Sequence, residues 1–147
     1  MGLWRTKKGI EEMRDMTPTE RSYVAGIIDG EGSIEFTRRQ RIRHERKGKP
    51  VHNVINIRLE VPQVDGRLID YLLETTQEGS RGMKHYPGND NWQDQHRWRV
   101  GYRGVYRILK QVHKYLIVKK EKSQLVIDHY DKIFNEKKFG KGGFGVK

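Results

Sequence analysis

Cysteine is absent from the 147-residue sequence, and this absence excludes disulfide bonds, thiolate catalysis and cysteine-ligated zinc. Long apolar runs are missing as well, since no stretch approaches the roughly 20 residues that cross a bilayer. No secretory signal is visible. We therefore expect a protein that is neither secreted nor bound to a membrane, and that works in a prokaryotic cytoplasm or in an organelle.

Acidic residues are few relative to basic ones. The sequence has 30 Lys and Arg against 19 Asp and Glu, which gives a formal net charge of +11. An excess of this size favours a polyanionic partner, and nucleic acid is the usual one. Only 34% of the residues are hydrophobic, so burial against a second copy of the chain would supplement a small core.

The pattern of apolar residues predicts one α+β domain at residues 17–136, between an arm at 1–16 and a disordered Gly- and Lys-rich tail at 137–147. Thr17, Pro18 and Glu20 are typical of a capped helix start, and we expect this helix to end near Asp29. A period of two in residues 51–61 predicts a strand that Pro62 ends.

The remaining elements alternate in the same way. We predict strands at 33–45, 83–86 and 95–100, and helices at 67–75, 106–116 and 125–134. The resulting order is helix, hairpin, helix, hairpin, helix, helix. It favours an antiparallel sheet with helices on one face and an open, polar second face.

Residues 24–28 are apolar or small on all sides, whereas a helix in a small domain usually has one apolar stripe. We expect one side to pack on the sheet of its own subunit and the other side to pack on a partner. Gly26 and Gly30 have the spacing that lets two helices approach closely. The alternative is a tightly packed internal helix of a single chain.

Glu31 follows the predicted end of this helix, where the macrodipole is unfavourable for a negative charge. A carboxylate in this position favours a cation, and Mg²⁺ with oxygen ligands is suitable. Two copies of the helix around a two-fold axis would bring two Glu31 side chains together, as in the two-metal hydrolysis of phosphodiesters. The alternative is that Asp29 and Glu31 are solvated turn residues.

Residues 24–32 resemble the motif of the LAGLIDADG homing endonucleases, and the order of elements resembles that family's αββαββα domain, here with an extra C-terminal helix. Because one motif is present, the chain resembles the homodimeric branch. The resemblance implies a saddle-shaped sheet that faces DNA, with Glu31 in the position of the metal-binding acid, where Asp is usual. It implies a structural role for Asp29.

The resemblance also assigns roles to residues outside the motif. Gln63 and Arg67 fall where the homodimeric branch has polar active-site residues, and Lys119 matches a basic residue near the cleaved phosphate, where it could stabilise negative charge. Lys120 is adjacent, so an alignment shifted by one residue stays open. The expected dimer interface consists of Ala25, Gly26, Asp29 and Gly30.

A polar surface that reads DNA is expected on the open face of the sheet, because Arg, Asn and Thr can contact base edges in the major groove. The alternative is an ordinary solvated strand face. The expected DNA-binding residues are Glu35, Thr37, Arg39, Arg41, Arg43, Asn56, Arg58, Glu60, Lys84, Tyr86, Arg97 and Arg99.

The sequence therefore predicts a homodimeric, Mg²⁺-dependent, intron-encoded endonuclease that cuts double-stranded DNA at a long, near-palindromic target. We expect Ca²⁺ or Mn²⁺ to be accepted at the same sites, and we expect no membrane partner and no small-molecule cofactor. One alternative is a maturase or another binder that does not cleave. A second alternative is a basic structural RNA-binding protein, which would have no use for the glycine-flanked carboxylate of Glu31.

Overall fold

The structure of the chain is a computed structural model that describes residues 15–41, 52–88, 91 and 93–139. The α+β order predicted from the sequence is confirmed, including the extra C-terminal helix. None of the helices among the described residues is both long and apolar enough to cross a membrane. The elements are α1 (Pro18–Glu31), β1 (Ser33–Arg41), β2 (His52–Gln63), α2 (Gly66–Thr76), β3 (Ser80–Lys84), β4 (Gln95–Gly101), α3 (Arg103–Val112), a 3₁₀ turn (His113–Tyr115) and α4 (Lys120–Phe139).

The four strands form one antiparallel sheet in the order β1-β2-β4-β3, so the second strand of each hairpin is central. The predicted period of two in β2 is confirmed. Ile57, Leu59 and Val61 are buried against the helices, whereas Arg58 and Glu60 point to the other side. Successive side chains of a strand point to opposite faces, and one face of this sheet therefore stays available to a ligand.

The core is closed around Trp98 of β4, which is fully buried. Its indole Nε1 donates to the main-chain oxygen of Glu78 at 2.9 Å. The buried Glu78 carboxylate forms an ion pair with Arg107 of α3, with 2.5 Å between Oε2 and Nε. Because both partners are paired, this buried charge is compensated, and it fixes α3 against the start of β3.

Several predicted boundaries were wrong. Pro62 does not end β2, which continues to Gln63 and pairs with His96 of β4. The pairing with β1 stops at Glu60, so Pro62 has a strand neighbour on one side only, where a missing N–H is tolerated. β3 begins at Ser80 and α4 at Lys120, both earlier than predicted, because the first residues of each lack an apolar period.

Met16 is the last residue of the predicted arm. Its side chain is 2% exposed in the core, and its N–H donates to Oε1 of Gln111 at 2.8 Å. The chain is therefore anchored to α3 before α1 begins. Residues 1–14 of the arm and residues 140–147 of the tail lie outside the described residues, and Phe139 still belongs to α4.

Candidate functional site

Helix α1 has a defined beginning and a sharp end. Thr17 and Glu20 form the predicted capping box, with each side chain accepting the other's N–H at 3.2 and 3.0 Å. At the other end the N–H of Gly32 donates to the oxygen of Ile28 at 3.0 Å. A Cβ on Gly32 would lie 3.0 Å from that oxygen, so glycine lets the chain turn directly into β1. Glu31 is thereby placed at an exposed helix end.

One side of α1 is buried in its own chain, and the opposite side, here called the bare side, is exposed. Val24, Ala25 and Ile28 have 0% exposure. Ala25, which the sequence analysis places in the expected dimer interface, has its side chain packed in the core of its own chain. Gly26 and Gly30 are exposed, and an added Cβ at either would meet no atom within 4 Å.

The carboxylate of Asp29 binds the loop that precedes α4. It accepts the N–H of Ile117 at 2.7 Å, of Val118 at 3.2 Å and of Lys119 at 3.0 Å. Burial raises the pKa of Asp29, but these three N–H groups and the Lys119 charge outweigh burial and hold the pKa below its ordinary value. The carboxylate of Asp29, one of the residues expected in the dimer interface, is therefore bound within its own chain.

Lys119 is brought to the end of α1 by the same loop. Its Nζ donates to the main-chain oxygen of Asp29 at 2.8 Å. Glu31, in contrast, has no hydrogen-bond or ion-pair partner among the described residues. The structure thus brings two of the predicted site residues, Glu31 and Lys119, to one end of one helix.

Glu31 is the carboxylate at this end that is free to bind a cation. Carboxylate oxygen and helix-end carbonyl oxygen are the donors that hard divalent ions prefer, so the chemistry of this helix end fits the predicted Mg²⁺. Within the described residues no cluster of three or more His, Cys, Asp or Glu could hold a metal.

Gln63 and Arg67 lie where β2 passes into α2. The Gln63 Oε1 accepts the N–H of Val64 at 3.0 Å. The guanidinium of Arg67 is bound to the Asp65 carboxylate, with 3.0 Å from Nε to Oδ1 and 2.6 Å from Nη2 to Oδ2. Hydrogen bonds from Arg67 lower the pKa of Asp65 to about 2, so both charges of this exposed pair persist at neutral pH.

Tyr23 connects these two residues to α1. Its ring packs edge-on against Tyr71 of α2, with 5.2 Å between the ring centroids. Tyr23, Tyr71, Gln63 and Arg67 line one open depression together with Asp65 and Leu68. The sequence did not single out Tyr23 for this position, because its helical spacing matches a packing residue equally well.

Two exposed apolar residues were also missed by sequence reasoning. Ile117 is 80% exposed and Val118 is 68% exposed, although their N–H groups are bound by Asp29. The run Tyr115 to Val118 is apolar throughout, and apolar residues of this kind are more often buried. Exposed large apolar side chains beside a bare helix face are typical of an interaction surface.

The face of the sheet that points away from the helices, here called the open face, carries most of the predicted DNA-binding residues. Cross-strand register puts Glu35 opposite Arg58 and Thr37 opposite Asn56. It also puts Glu60 opposite Arg99. By the same alternation the predicted DNA-binding residues that lie on the described part of the open face are Glu35, Thr37, Arg39, Asn56, Arg58, Glu60, Lys84, Arg97 and Arg99.

Acidic residues on the open face orient the basic ones. Glu60 Oε2 is 3.2 Å from Arg97 Nη1 and 3.1 Å from Arg99 Nε. Among the described side chains of this face five are basic and two are acidic, so the described part of the face is positively charged. Tyr86 follows β3, the side chain of Arg41 is not described, and Arg43 lies outside the described residues.

Tyr102 is a further residue of the open face that the sequence did not reveal. It lines a depression together with Arg39, Asn56, Arg58 and Arg99. Its backbone adopts φ 52°, which is rare for a residue other than glycine. The Tyr102 N–H donates to the oxygen of Ile57 at 3.0 Å, and this bond compensates the unusual conformation.

The order of helices and strands and the topology of the sheet define a fold that solved structures share. No protein-family model matches the chain, and no curated protein is significantly similar to it in sequence. The structural comparison is clear, however: the chain has the fold of the LAGLIDADG homing endonucleases. The expectation from the sequence motif is therefore confirmed at the level of the fold.

Two homing endonucleases illustrate the similarity. I-CvuI bound to its DNA target with Ca²⁺ aligns with a TM-score of 0.60 and 19% identity, over 82% of this chain and 71% of I-CvuI. I-CvuI with uncleaved DNA and Mg²⁺ gives 0.59 and 16%, over 80% and 69%. The archaeal intron-encoded I-Vdi141I in complex with DNA gives 0.57 and 17%, over 81% and 71%.

Proposed function

We propose that this protein is a site-specific double-strand DNA endonuclease that acts as a homodimer and requires a divalent metal ion. The observation that carries the proposal is the end of α1, where the exposed Glu31 lies next to the loop that holds Lys119. The first strand of the open face begins at Ser33, two residues after Glu31. Glu31, which would bind the metal, and Lys119, which would contact the phosphate, thus lie at the end of α1, where the basic open face begins.

The dimer is supported by the bare side of α1. Gly26 and Gly30 leave open space where other residues would carry side chains, and small residues at this spacing permit close contact between helix backbones. Ile117 and Val118 add exposed apolar side chains on the loop whose N–H groups are bound to Asp29 of the same helix. If two copies pack through this side of α1 around a two-fold axis, each copy presents the same surface to the other. The two half-sites of the DNA target would then be related by the same symmetry, so the target would be near-palindromic.

The metal would be held by Glu31 from both copies, since each chain contributes one exposed carboxylate at the end of α1. Mg²⁺ is the expected ion, and Ca²⁺ or Mn²⁺ would use the same oxygen donors. When bound, such an ion polarises the phosphodiester and makes a nucleophile available at neutral pH. The longer side chain of Glu reaches one methylene further than the Asp that the motif usually carries.

The other residues act on the DNA itself. Lys119, held by the main-chain oxygen of Asp29, would stabilise negative charge that develops on the cleaved phosphate. Gln63 and Arg67 supply an amide and a second cation at the end of β2. The five basic residues of the open face would bind phosphates and base edges of a half-site. We infer an intron-encoded gene by analogy with I-Vdi141I.

The test starts from a library of randomised DNA duplexes. The library is enriched for binding in Ca²⁺, and the recovered duplexes are then incubated with Mg²⁺ or with EDTA. We expect double-strand cleavage in Mg²⁺ only, and no cleavage by Glu31→Gln even though this variant still binds the same DNA. Glu74→Gln, which removes an exposed carboxylate of α2, is the matched control.

Three outcomes would each contradict part of the proposal. Cleavage that persists in EDTA or in Glu31→Gln would exclude the metal mechanism. Specific binding without any cleavage by the unaltered chain would instead favour a binder such as a maturase. Sedimentation of the DNA complex decides the dimer, because a single chain per target would exclude two-fold binding.

A further inference from the structure

We propose that Asp29 is a positioning residue, which clamps loop 117–119 to the end of α1 and thereby holds Lys119 in its working position. The clamp itself belongs to the free chain. Its effect on cleavage rests on the proposed function. Asp29 and Glu31 would then have separate roles at one helix end: Asp29 would hold the loop in place, and Glu31 would bind the metal ion.

The geometry of the clamp is reciprocal. The Asp29 carboxylate accepts three consecutive backbone N–H groups at 2.7 to 3.2 Å, while Lys119 Nζ returns to the main-chain oxygen of Asp29 at 2.8 Å. Both the backbone and the side chain of Lys119 are therefore tied to one residue. Fixing a free lysine side chain costs substantial rotamer entropy. Because Lys119 is already fixed in the free chain, a ligand that binds it would not have to overcome this cost.

The two helix ends explain why a carboxylate is needed. Lys119 precedes α4, and its oxygen accepts the N–H of Ser123 at 3.0 Å. The N-terminal end of α4 carries a partial positive charge and the C-terminal end of α1 carries a partial negative charge. Asp29 carries its negative charge near the C-terminal end of α1, where the helix dipole is unfavourable for it. Its hydrogen bonds to the N–H groups of the loop before α4 offset this unfavourable interaction.

The capacity of the carboxylate supports the division of tasks. An ionised carboxylate has about four lone-pair sites, and three N–H groups already occupy the side chain of Asp29. Glu31 has no such partner among the described residues. Asp29 is thus poorly suited to bind a metal, although both acids lie within the same motif.

The clamp has a second effect on the neighbouring residues. Because their N–H groups are bound, Ile117 and Val118 keep their apolar side chains outside, at 80% and 68% exposure. These side chains stand on the flank of the bare side of α1. A loop without the clamp would be free to turn them inward, and Lys119 would move with them.

The first experiment measures the clamp in the free protein and needs no cleavage. Native-state amide hydrogen exchange should show protection of Ile117, Val118 and Lys119 in the unaltered chain. In Asp29→Asn we expect protection at these three amides to fall by about tenfold or more, because a bonded N–H becomes free to exchange. Asp128→Asn, which removes a carboxylate that accepts from Gln124 in α4, should leave them unchanged.

The second experiment tests the consequence with single-turnover cleavage at saturating DNA. Asp29→Asn should slow the cleavage step by about tenfold to a hundredfold, as expected for a misplaced group, and DNA affinity in Ca²⁺ should stay the same. The double variant Asp29→Asn/Lys119→Ala should be no slower than Lys119→Ala within about threefold, because residues that act through one another are not additive. Asp29→Glu, which retains the charge, should recover part of the rate.

The outcomes are distinguishable. Unchanged protection at residues 117–119 in Asp29→Asn would overturn the clamp, and so would additive rate losses in the double variant. If the unaltered chain cuts no DNA, the proposed function fails, while hydrogen exchange still decides whether Asp29 positions Lys119.

Discussion

Glu35 and Arg58 face each other across β1 and β2 and form an ion pair with 2.8 Å between Oε1 and Nη2. The Oγ1 of Thr37 donates to the second oxygen of Glu35 at 3.3 Å. An exposed ion pair of this kind adds little to stability, about 0 to 1 kcal/mol. Its more useful effect is orientation, since Glu35 holds the Arg58 guanidinium in one direction on the open face.

Removing the Glu35 carboxylate should therefore increase the affinity for DNA in general and decrease the specificity for the selected target. Glu35→Gln leaves Arg58 without its partner and raises the positive charge of the open face by one. We expect tighter binding to random DNA, a steeper dependence of affinity on salt, and a smaller preference for the selected target. Fluorescence anisotropy at several salt concentrations measures all three. Glu74→Gln on α2 is the control, and tighter specific binding without loss of preference would contradict the orienting role.

Arg39 should contribute to DNA binding without a structural role. It lines the depression on the open face and has no partner among the described residues. If Arg39 contacts one phosphate, Arg39→Ala should lower the slope of log affinity against log salt by about 0.9. Thermal stability should be unchanged. The control is Lys132→Ala, which removes an equal charge from α4 and should leave the slope unchanged. If both variants changed the slope equally, the net charge of the protein, and not a contact of Arg39, would determine the salt dependence.

Gly26→Leu should separate folding from dimerisation. An added side chain at Gly26 meets open space within the chain, and glycine in a helix is less stable than other residues by about 0.5 to 1 kcal/mol. The variant should therefore fold with equal or greater stability, yet fail to dimerise on DNA. Thermal unfolding and sedimentation velocity check the two parts. Asp128→Leu on α4 is the control for an added exposed leucine, and a Gly26→Leu variant that dimerises and cleaves normally would refute the helix contact.

Gly79 should be essential to the fold. It has φ +91°, and a Cβ there would lie 2.7 Å from both the Arg99 oxygen and the Trp98 Nε1. Strain of this kind costs about 1 to 3 kcal/mol, and the displaced indole would lose its bond to Glu78. Urea unfolding of Gly79→Ala should show a loss of this size or more. Gly101→Ala, where a Cβ meets nothing within 4 Å, should change stability little.

The stabilising effect of Asp65 should depend on pH. Asp65 caps α2 through the N–H of Arg67 at 2.9 Å, and its pKa is lowered from 3.8 to about 2. Because the folded pKa is the lower one, the stabilisation is complete above the ordinary value and is lost as the pH falls towards about 2. The urea midpoints of the unaltered chain and Asp65→Asn should differ most near neutral pH and converge in acid. A constant difference would show that Arg67 does not perturb Asp65.

The sequence contains enough local signals to predict the order of elements. The capping box at Thr17 and the alternation of Ile57, Leu59 and Val61 both depend on neighbours a few residues away, and both were confirmed. Pro62 was misjudged because its tolerance depends on where β1 stops pairing. Local periodicity does not contain that information.

The candidate site was predictable only in part. Glu31 lies within a contiguous motif, and its exposed position follows from the glycine beside it. The bonds of Asp29 join residues 88 to 90 positions apart, and nothing in either segment indicates the pairing. The burial of Ala25 in its own chain was not predictable for a related reason, since the side of a helix that faces its own core depends on how α1 packs.

The alternation within the sheet has a consequence for evolution. Residues of the open face make few contacts with the core, because Ile57, Leu59, Trp98 and Val100 on the opposite face carry the packing. Surface substitutions away from such features usually change stability by less than about 0.5 kcal/mol. The outer positions of β1, β2 and β4 are therefore free to drift between sequences, and a lineage could acquire new recognition preferences without rebuilding the scaffold that supports them.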